Sequence, residues 1–214
     1  MALPLDISAN SQSPSQMTDR NRGTQSQRCP QVMPKSEANN DDIHWFPMRV
    51  TYAREMKLKA VLDDLGIESY IPMQWAEKEV KGQRKPIEIP IIHNLIFIHT
   101  SRTIIQTLKT KVEESTPMRY FMDKSEKKPL VVPQKQMEDF IKVTTNREKE
   151  FFYLENADFA AKPGERVRIK SGIFEGVEGK ILRIHNNKKV VVSIEGVAAV
   201  AISYIPTNMI EKID

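Results

Sequence analysis

"GERVRIKSGIFEGVEGKILRI", residues 164–184, holds four of the eight glycines in a chain of 214 residues. On both sides of its centre apolar residues alternate, with Val167 and Ile169 before it and Ile181 after it. That period of two is the signature of a strand with one face buried. Between two such strands the backbone needs positive φ, which glycine adopts at little cost. Gly172 and Gly176 fall in the connection, and Gly179 opens the second strand. The stretch predicts strand, tight loop, strand.

Downstream, "KVVVSIE" (189–195), "VAAVAIS" (197–203) and "NMIEKI" (208–213) continue the pattern, with a turn expected at His185-Asn186-Asn187. Five short strands within residues 159–214 predict a small β-barrel, because closure removes the bare edges of an open sheet. Before them, "TNREKEFFYLENAD" (145–158) is charged and has no clear period, as expected of a linker that lets two domains tumble semi-independently.

Residues 42–144 read as a separate α+β domain. "HWFPMRVTY" (44–52) is a strand in which Pro47 predicts an edge or a bulge. In "AREMKLKAVLDDLGIESYIP" (53–72), Met56, Leu58, Val61, Leu62 and Leu65 recur at helical spacing up to Gly66, a C-terminal cap. Two strands, 67–80 and 85–100, flank a basic tip that contains Gly82. A helix over 101–111 starts at Ser101, a strand follows at 118–123, and a third helix opens at Pro133. This order predicts an antiparallel sheet covered on one side by helices. Residues 1–41 are rich in Ser, Gln, Asn and Pro and are expected as a disordered leader.

Composition narrows the function classes. The net charge of +4 permits contact with nucleic acid without demanding it, and no block of the chain is polybasic. The one cysteine, Cys29, allows no intrachain disulfide. The N-terminus lacks the pattern of a secretory signal, and no apolar run reaches membrane-spanning length, so a cytoplasmic, monomeric protein without membrane contact is expected. His44, His93, His99 and His185 are scattered, and no phosphate-binding glycine loop or His-Glu-x-x-His motif is present. His93 and His99 are expected on one strand, about 20 Å apart, too far to share a metal. Neither catalysis, metal nor cofactor is expected.

"VRIKSGIFEGVEGKILRI" resembles the KOW motif at Val167, Ile169, Gly172, Phe174, Gly176, Gly179 and Ile181. "WFPMRV" (45–50), the following helix, the long hairpin and "HNLIFIHT" (93–100) are similar to the N-terminal domain of the NusG family of transcription elongation factors. The resemblance covers residues 44–214 in order. It departs where the family's Pro-Gly-Tyr reads His93-Asn94-Leu95, and where Pro47 falls inside the first strand. "NLIFIHT", "YFMD" and "VVVSIEGVAAVAISYIP" resemble the specialised UpxY antiterminators of Bacteroides capsule operons more than the housekeeping factor.

The resemblance implies that the N-terminal domain grips the clamp helices of RNA polymerase through an apolar hollow and suppresses pausing or termination. The matching anchors are Trp45, Phe46, Ile92, Leu95 and Phe97, with Arg49 and Arg54 as rim charges. Lys81, Arg84 and Lys85 at the hairpin tip, and Gln106 and Thr107 on the second helix, are candidate contacts to polymerase, non-template DNA or nascent RNA. Ile173 and Phe174 either present an apolar spot to a partner, such as Rho or a small-subunit ribosomal protein, or plug the barrel end. The competing reading is an RNA-binding or ribosome-associated KOW protein, which needs a basic and aromatic face.

Overall fold

The computed structural model describes residues 43–80, 83–123, 125–146, 151–154, 164–184 and 187–213. The expected leader with Cys29, the hairpin residues Lys81 and Gly82, and the turn at His185-Asn186 lie outside these residues. Among the described residues the N-terminal part runs β1 (Ile43–Val50), α1 (Glu55–Asp64), β2 (Glu68–Tyr70), β3 (Met73–Val80), β4 (Gln83–Pro90), β5 (Leu95–Ser101), α2 (Arg102–Val112), β6 (Met118–Tyr120) and α3 (Gln134–Thr145). The C-terminal part runs β7 (Phe151–Tyr153), β8 (Glu165–Ile169), β9 (Glu178–Ile184), β10 (Asn187–Ile194), β11 (Ala198–Ile202) and β12 (Ile210–Lys212).

Each helix has a local cause. α1 stops where Gly66 takes φ 67°, so that the amides of Gly66 and Ile67 turn back onto the carbonyls of Asp63 and Leu62. Ser101 starts α2 by accepting the Ile104 amide on its hydroxyl. α3 begins directly after Pro133, whose missing N–H costs nothing at a helix start.

The first sheet has the order β2-β5-β1-β6, which puts β1 inside the sheet and not at the edge that Pro47 predicts. Proline is tolerated there because its carbonyl faces Phe121, on the β6 side. The donor it lacks would point the same way, beyond the end of β6, so no bond to β5 is lost. The two strands expected at 67–80 and 85–100 are each broken in two. β3 and β4 leave at Ile71-Pro72 and Ile91–Asn94 to form a separate two-stranded hairpin, and His93 consequently lies in a turn.

Helices cover both faces of the first sheet, not one. Phe46, Met48, Val50, Ile96 and Ile98 pack with Leu58 and Leu62 of α1 and with Ile105 and Leu108 of α2. Trp45, Leu95 and Phe97 pack on the other side with Met137, Phe140 and Val143 of α3. The cause is sequence that is apolar at consecutive positions, "WF" in β1 and "LIFI" in β5, so both faces must be hidden.

The C-terminal strands form one antiparallel sheet in the order β12-β8-β9-β10-β11-β7. Five of its strands are the expected ones, and β7 comes from within the expected linker. Val167, Ile169, Val190, Val192 and Val200 lie on one face, and Leu182, Ile184, Val191 and Ala201 on the other. In the loop between β8 and β9, Gly172 and Gly176 have φ of 90° and 82°. Gly179 serves a different need from the one expected: a Cβ there would stand 2.6 Å from the Val191 carbonyl oxygen, so it is glycine for close approach of β10.

Candidate functional site

The seven residues expected to contact polymerase do not form one surface. Phe46 is 3 % exposed and sits under α1 and α2, on the opposite face from its neighbour Trp45. This corrects its assignment as a surface anchor, for which alternation of successive strand side chains is the reason. Trp45 and Phe97 are core residues beneath α3: the Trp45 indole donates to Gln134 at 3.0 Å and stacks on His99, and Phe97 tilts against Phe140. His99 is tied to Glu68 at 2.6 Å.

Arg49, Ile92 and Leu95 do come together. They line a cleft of about 670 Å³ with Val50, Thr51, Tyr52, His93, Asn94, Phe121, Tyr153, Gly196 and Val197. The Arg49 guanidinium lies 5.1 Å from the centre of the Phe121 ring, which leaves its charge on the rim over an apolar wall. Arg54 does not line the cleft. It covers the exposed Tyr52 ring and donates to the Ser115 carbonyl at 2.7 Å, so its head is held against the loop after α2.

The rim is conformationally strained. Tyr52, Ala53 and Asn94 adopt φ of 62°, 50° and 64°, a left-handed region that side chains other than Asn rarely occupy. Asn94 fixes two loops at once, accepting the Ala53 amide on its side chain and the Val50 amide on its carbonyl. Below them the Glu55 carboxylate is buried, with Oε1 3.6 Å from His93 Nδ1 and no hydrogen-bond partner for Oε2 among the described residues.

One wall of this cleft belongs to the C-terminal sheet, which is also bonded to α3. Lys135 donates to the Gly176 carbonyl at 2.8 Å, Lys142 to the Glu175 carbonyl at 2.7 Å, and Gln136 to the Ser193 carbonyl at 2.8 Å. The buried Asp139 accepts the Glu178 amide at 3.1 Å and holds Lys135 with its other oxygen. Glu178 in turn carries Arg168 at 2.7 Å, and that hydrogen bond is the main cause holding its carboxyl below the usual range. Sequence reasoning missed these residues, since a polar stripe at 135, 139 and 142 reads equally well as a solvated helix face.

Phe174 is buried beside Met137 and Phe140, and Ile173 is partly buried against the same cluster. Ile173 and Phe174 therefore form no exposed apolar spot in this arrangement. Val167 and Ile169 are core residues of the sheet. On the hairpin, Arg84 stands 3.7 Å from Glu77, and Lys85 lies opposite Lys78, both exposed. Gln106 and Thr107 are exposed on α2, away from the cleft-lining residues. No helix among the described residues is long and apolar enough to cross a membrane.

A search of curated proteins finds no match to the chain. It is similar to a solved structure described as the domain interaction in Thermotoga maritima NusG, at 18 % identity over 80 % of this chain and 98 % of the other, with a TM-score of 0.42. The family model for the transcription termination factor NusG matches residues 43–141, and that for the KOW motif matches residues 163–195. These two matches account for more than half of the chain in the order the sequence implies, and the chain belongs to the NusG family of transcription factors.

Proposed function

We propose that the protein binds transcribing RNA polymerase at its clamp helices through the cleft face around Arg49, Ile92 and Leu95, and suppresses pausing or termination there. The C-terminal KOW domain recruits further partners, and the genes served are capsular polysaccharide operons. NusG-family factors are non-enzymatic, and the protein acts by binding, without bond chemistry. The observation that carries it is the N-terminal wall of the cleft: Ile92 and Phe121 beneath the Arg49 guanidinium suit helices that offer apolar side chains and an acidic edge.

In the arrangement observed, the C-terminal sheet forms part of that cleft, so engagement of a paired-helix partner requires the sheet to move off α3. Trp45 and Phe97 support the face from below and make no direct contact. The exposed hairpin with Lys78 and Lys85 opposite each other is the candidate contact to non-template DNA, because like charges paired across a hairpin gain from a phosphate between them.

The competing ribosome or RNA reading is disfavoured by how the cations of the C-terminal sheet are used. Arg166 and Arg168 are paired with Glu178, Lys212 with Glu165, and Lys189 lies over Phe152, so part of the charge a phosphate backbone would need is already engaged, with Lys170, Arg183 and Lys188 exposed. The test is co-elution of the full chain with purified RNA polymerase. Ile92→Asp is expected to reduce polymerase binding by about tenfold or more, while its circular dichroism stays that of the wild type. Undiminished binding by a folded Ile92→Asp chain, or co-elution with ribosomes or RNA and none with polymerase, would overturn the proposal.

A further inference from the structure

Residues 151–154 lie where the sequence places a linker, yet they complete the C-terminal sheet. Phe151, Phe152 and Tyr153 pair with Ile202, Ala201 and Val200, and the Leu154 amide donates to the Ala199 carbonyl at 2.9 Å. On its other side β11 pairs with β10. Backbone groups of a strand alternate in direction, so those of Ala199 and Ala201 face β7 while those of Ala198, Val200 and Ile202 face β10. Without β7 the Ala199 and Ala201 groups would form a bare edge on a strand whose five residues are all buried and apolar. An edge of that kind pairs readily with any extended chain.

β7 has the properties of an occupant more than of a framework strand. It is three residues long, each half-buried, and the sheet order among the described residues leaves it at the end with one paired side. In sequence it is a short aromatic insert that follows the charged run "NREKE" and precedes Leu154, Glu155 and Asn156. Its side chains are nonetheless read on both faces. Phe151 and Tyr153 pack against the cluster of Val190, Val192 and Val200, and Phe152 packs with Ala199 and Ala201 on the other face beneath the Lys189 ammonium.

We propose that the outer edge of β11 is a strand-acceptor site for an extended segment of a partner protein, and that β7 is its resident, displaceable occupant. The partner chemistry follows from the occupant: an antiparallel strand with bulky aromatic or aliphatic residues at successive positions, one set toward the valine cluster and the other over the alanines. Exchange of one strand for the other preserves the main-chain bonds, so the choice between them rests on side-chain fit and local concentration. This deepens the recruiting role proposed above for the KOW domain. Its test uses no polymerase, so failure here is separable from failure of the polymerase reading.

The probe is a fluorescent peptide of residues 149–156, offered to three full-length chains. Phe152→Pro removes the amide that faces Ala201 and empties the edge; Phe152→Ala retains it. The Phe152→Pro chain is expected to bind the peptide at least about tenfold more tightly than the wild type or Phe152→Ala. A peptide of the same composition with its aromatic run broken up is expected not to bind. Equal binding of the scrambled peptide, absence of binding by a Phe152→Pro chain that keeps its β-sheet circular dichroism, or conversion of that chain to a dimer through its own strands would each overturn the proposal. Should Phe152→Pro fail to fold, hydrogen exchange of the wild type decides: the Ala199 and Ala201 amides are expected to exchange at least about tenfold faster than those of Val200 and Ile202. Equal protection would show that β7 does not leave.

Discussion

Trp45 and Phe46 are adjacent in β1, and their surroundings contrast the two faces of the first sheet. On the Phe46 side the sheet meets α1 and α2 through apolar side chains, and those helices are the elements that immediately follow or precede its strands. On the Trp45 side α3 covers the sheet with Met137, Phe140 and Val143, but turns a second stripe, Lys135, Asp139 and Lys142, to the backbone of the loop between β8 and β9. The first contact is held by burial that no other partner replaces. The second also rests on polar side chains meeting main-chain groups, for which water or another partner can substitute.

The sharpest way to break this contrast is at Phe46. Phe46→Ala is expected to cost about 3–5 kcal/mol in chemical denaturation and to destabilise the whole N-terminal domain. A loss well under 1 kcal/mol would show that this face is not the permanent one.

Asp139→Ala comes next. It leaves the Glu178 amide without its acceptor and Lys135 without its anion, an expected loss of about 1–3 kcal/mol from the α3 seam alone. The readout is amide exchange, faster at Glu178 and unchanged at Ile98 in β5. Equal acceleration at both positions would mean that the two seams are not separable.

Acid sharpens the same comparison. The folded-state pKa of Glu178 is lowered, first by the hydrogen bond from Arg168. Its contribution is therefore fully present above the unfolded glutamate value, about 4.3, and is lost as pH falls through the lower folded value. Acidification in that window should loosen the β8–β9 pairing around Glu178 and Arg168 before it affects β1 and β5. The order of chemical-shift changes in a pH titration checks it, and a Glu178→Gln chain should lose that separation.

The smallest effect is expected at Lys142, whose bond to the Glu175 carbonyl is exposed. Lys142→Met should leave global stability within experimental error and raise exchange only in the β8–β9 loop. A global loss would mean that Lys142 supports more than the seam.

Much of this was legible beforehand. Gly66, Ser101 and Pro133 marked their helix boundaries because capping chemistry is local, and the glycine pattern of residues 164–184 announced a strand pair with a tight loop. Pro47 misled because its cost depends on which neighbouring strand its nitrogen faces, a fact of pairing that no local pattern carries. The anchor set misled for a related reason. Consecutive apolar residues in β1 announce two buried faces without saying which element covers each.

The sequence alone determined where the helices begin, that a KOW motif follows a NusG-like region, and which residues are too apolar to remain in water. Those properties follow from backbone preference and side-chain chemistry, which act over a few residues. Only the tertiary structure decided that Arg49 and Ile92 share a cleft over the buried Leu95 while Trp45, Phe46 and Phe97 are core, that α3 binds the KOW loop, and that part of the expected linker is a strand. Such outcomes depend on which segments distant in sequence compete to cover the same surface, and burial and hydrogen bonding settle that competition over the whole chain at once.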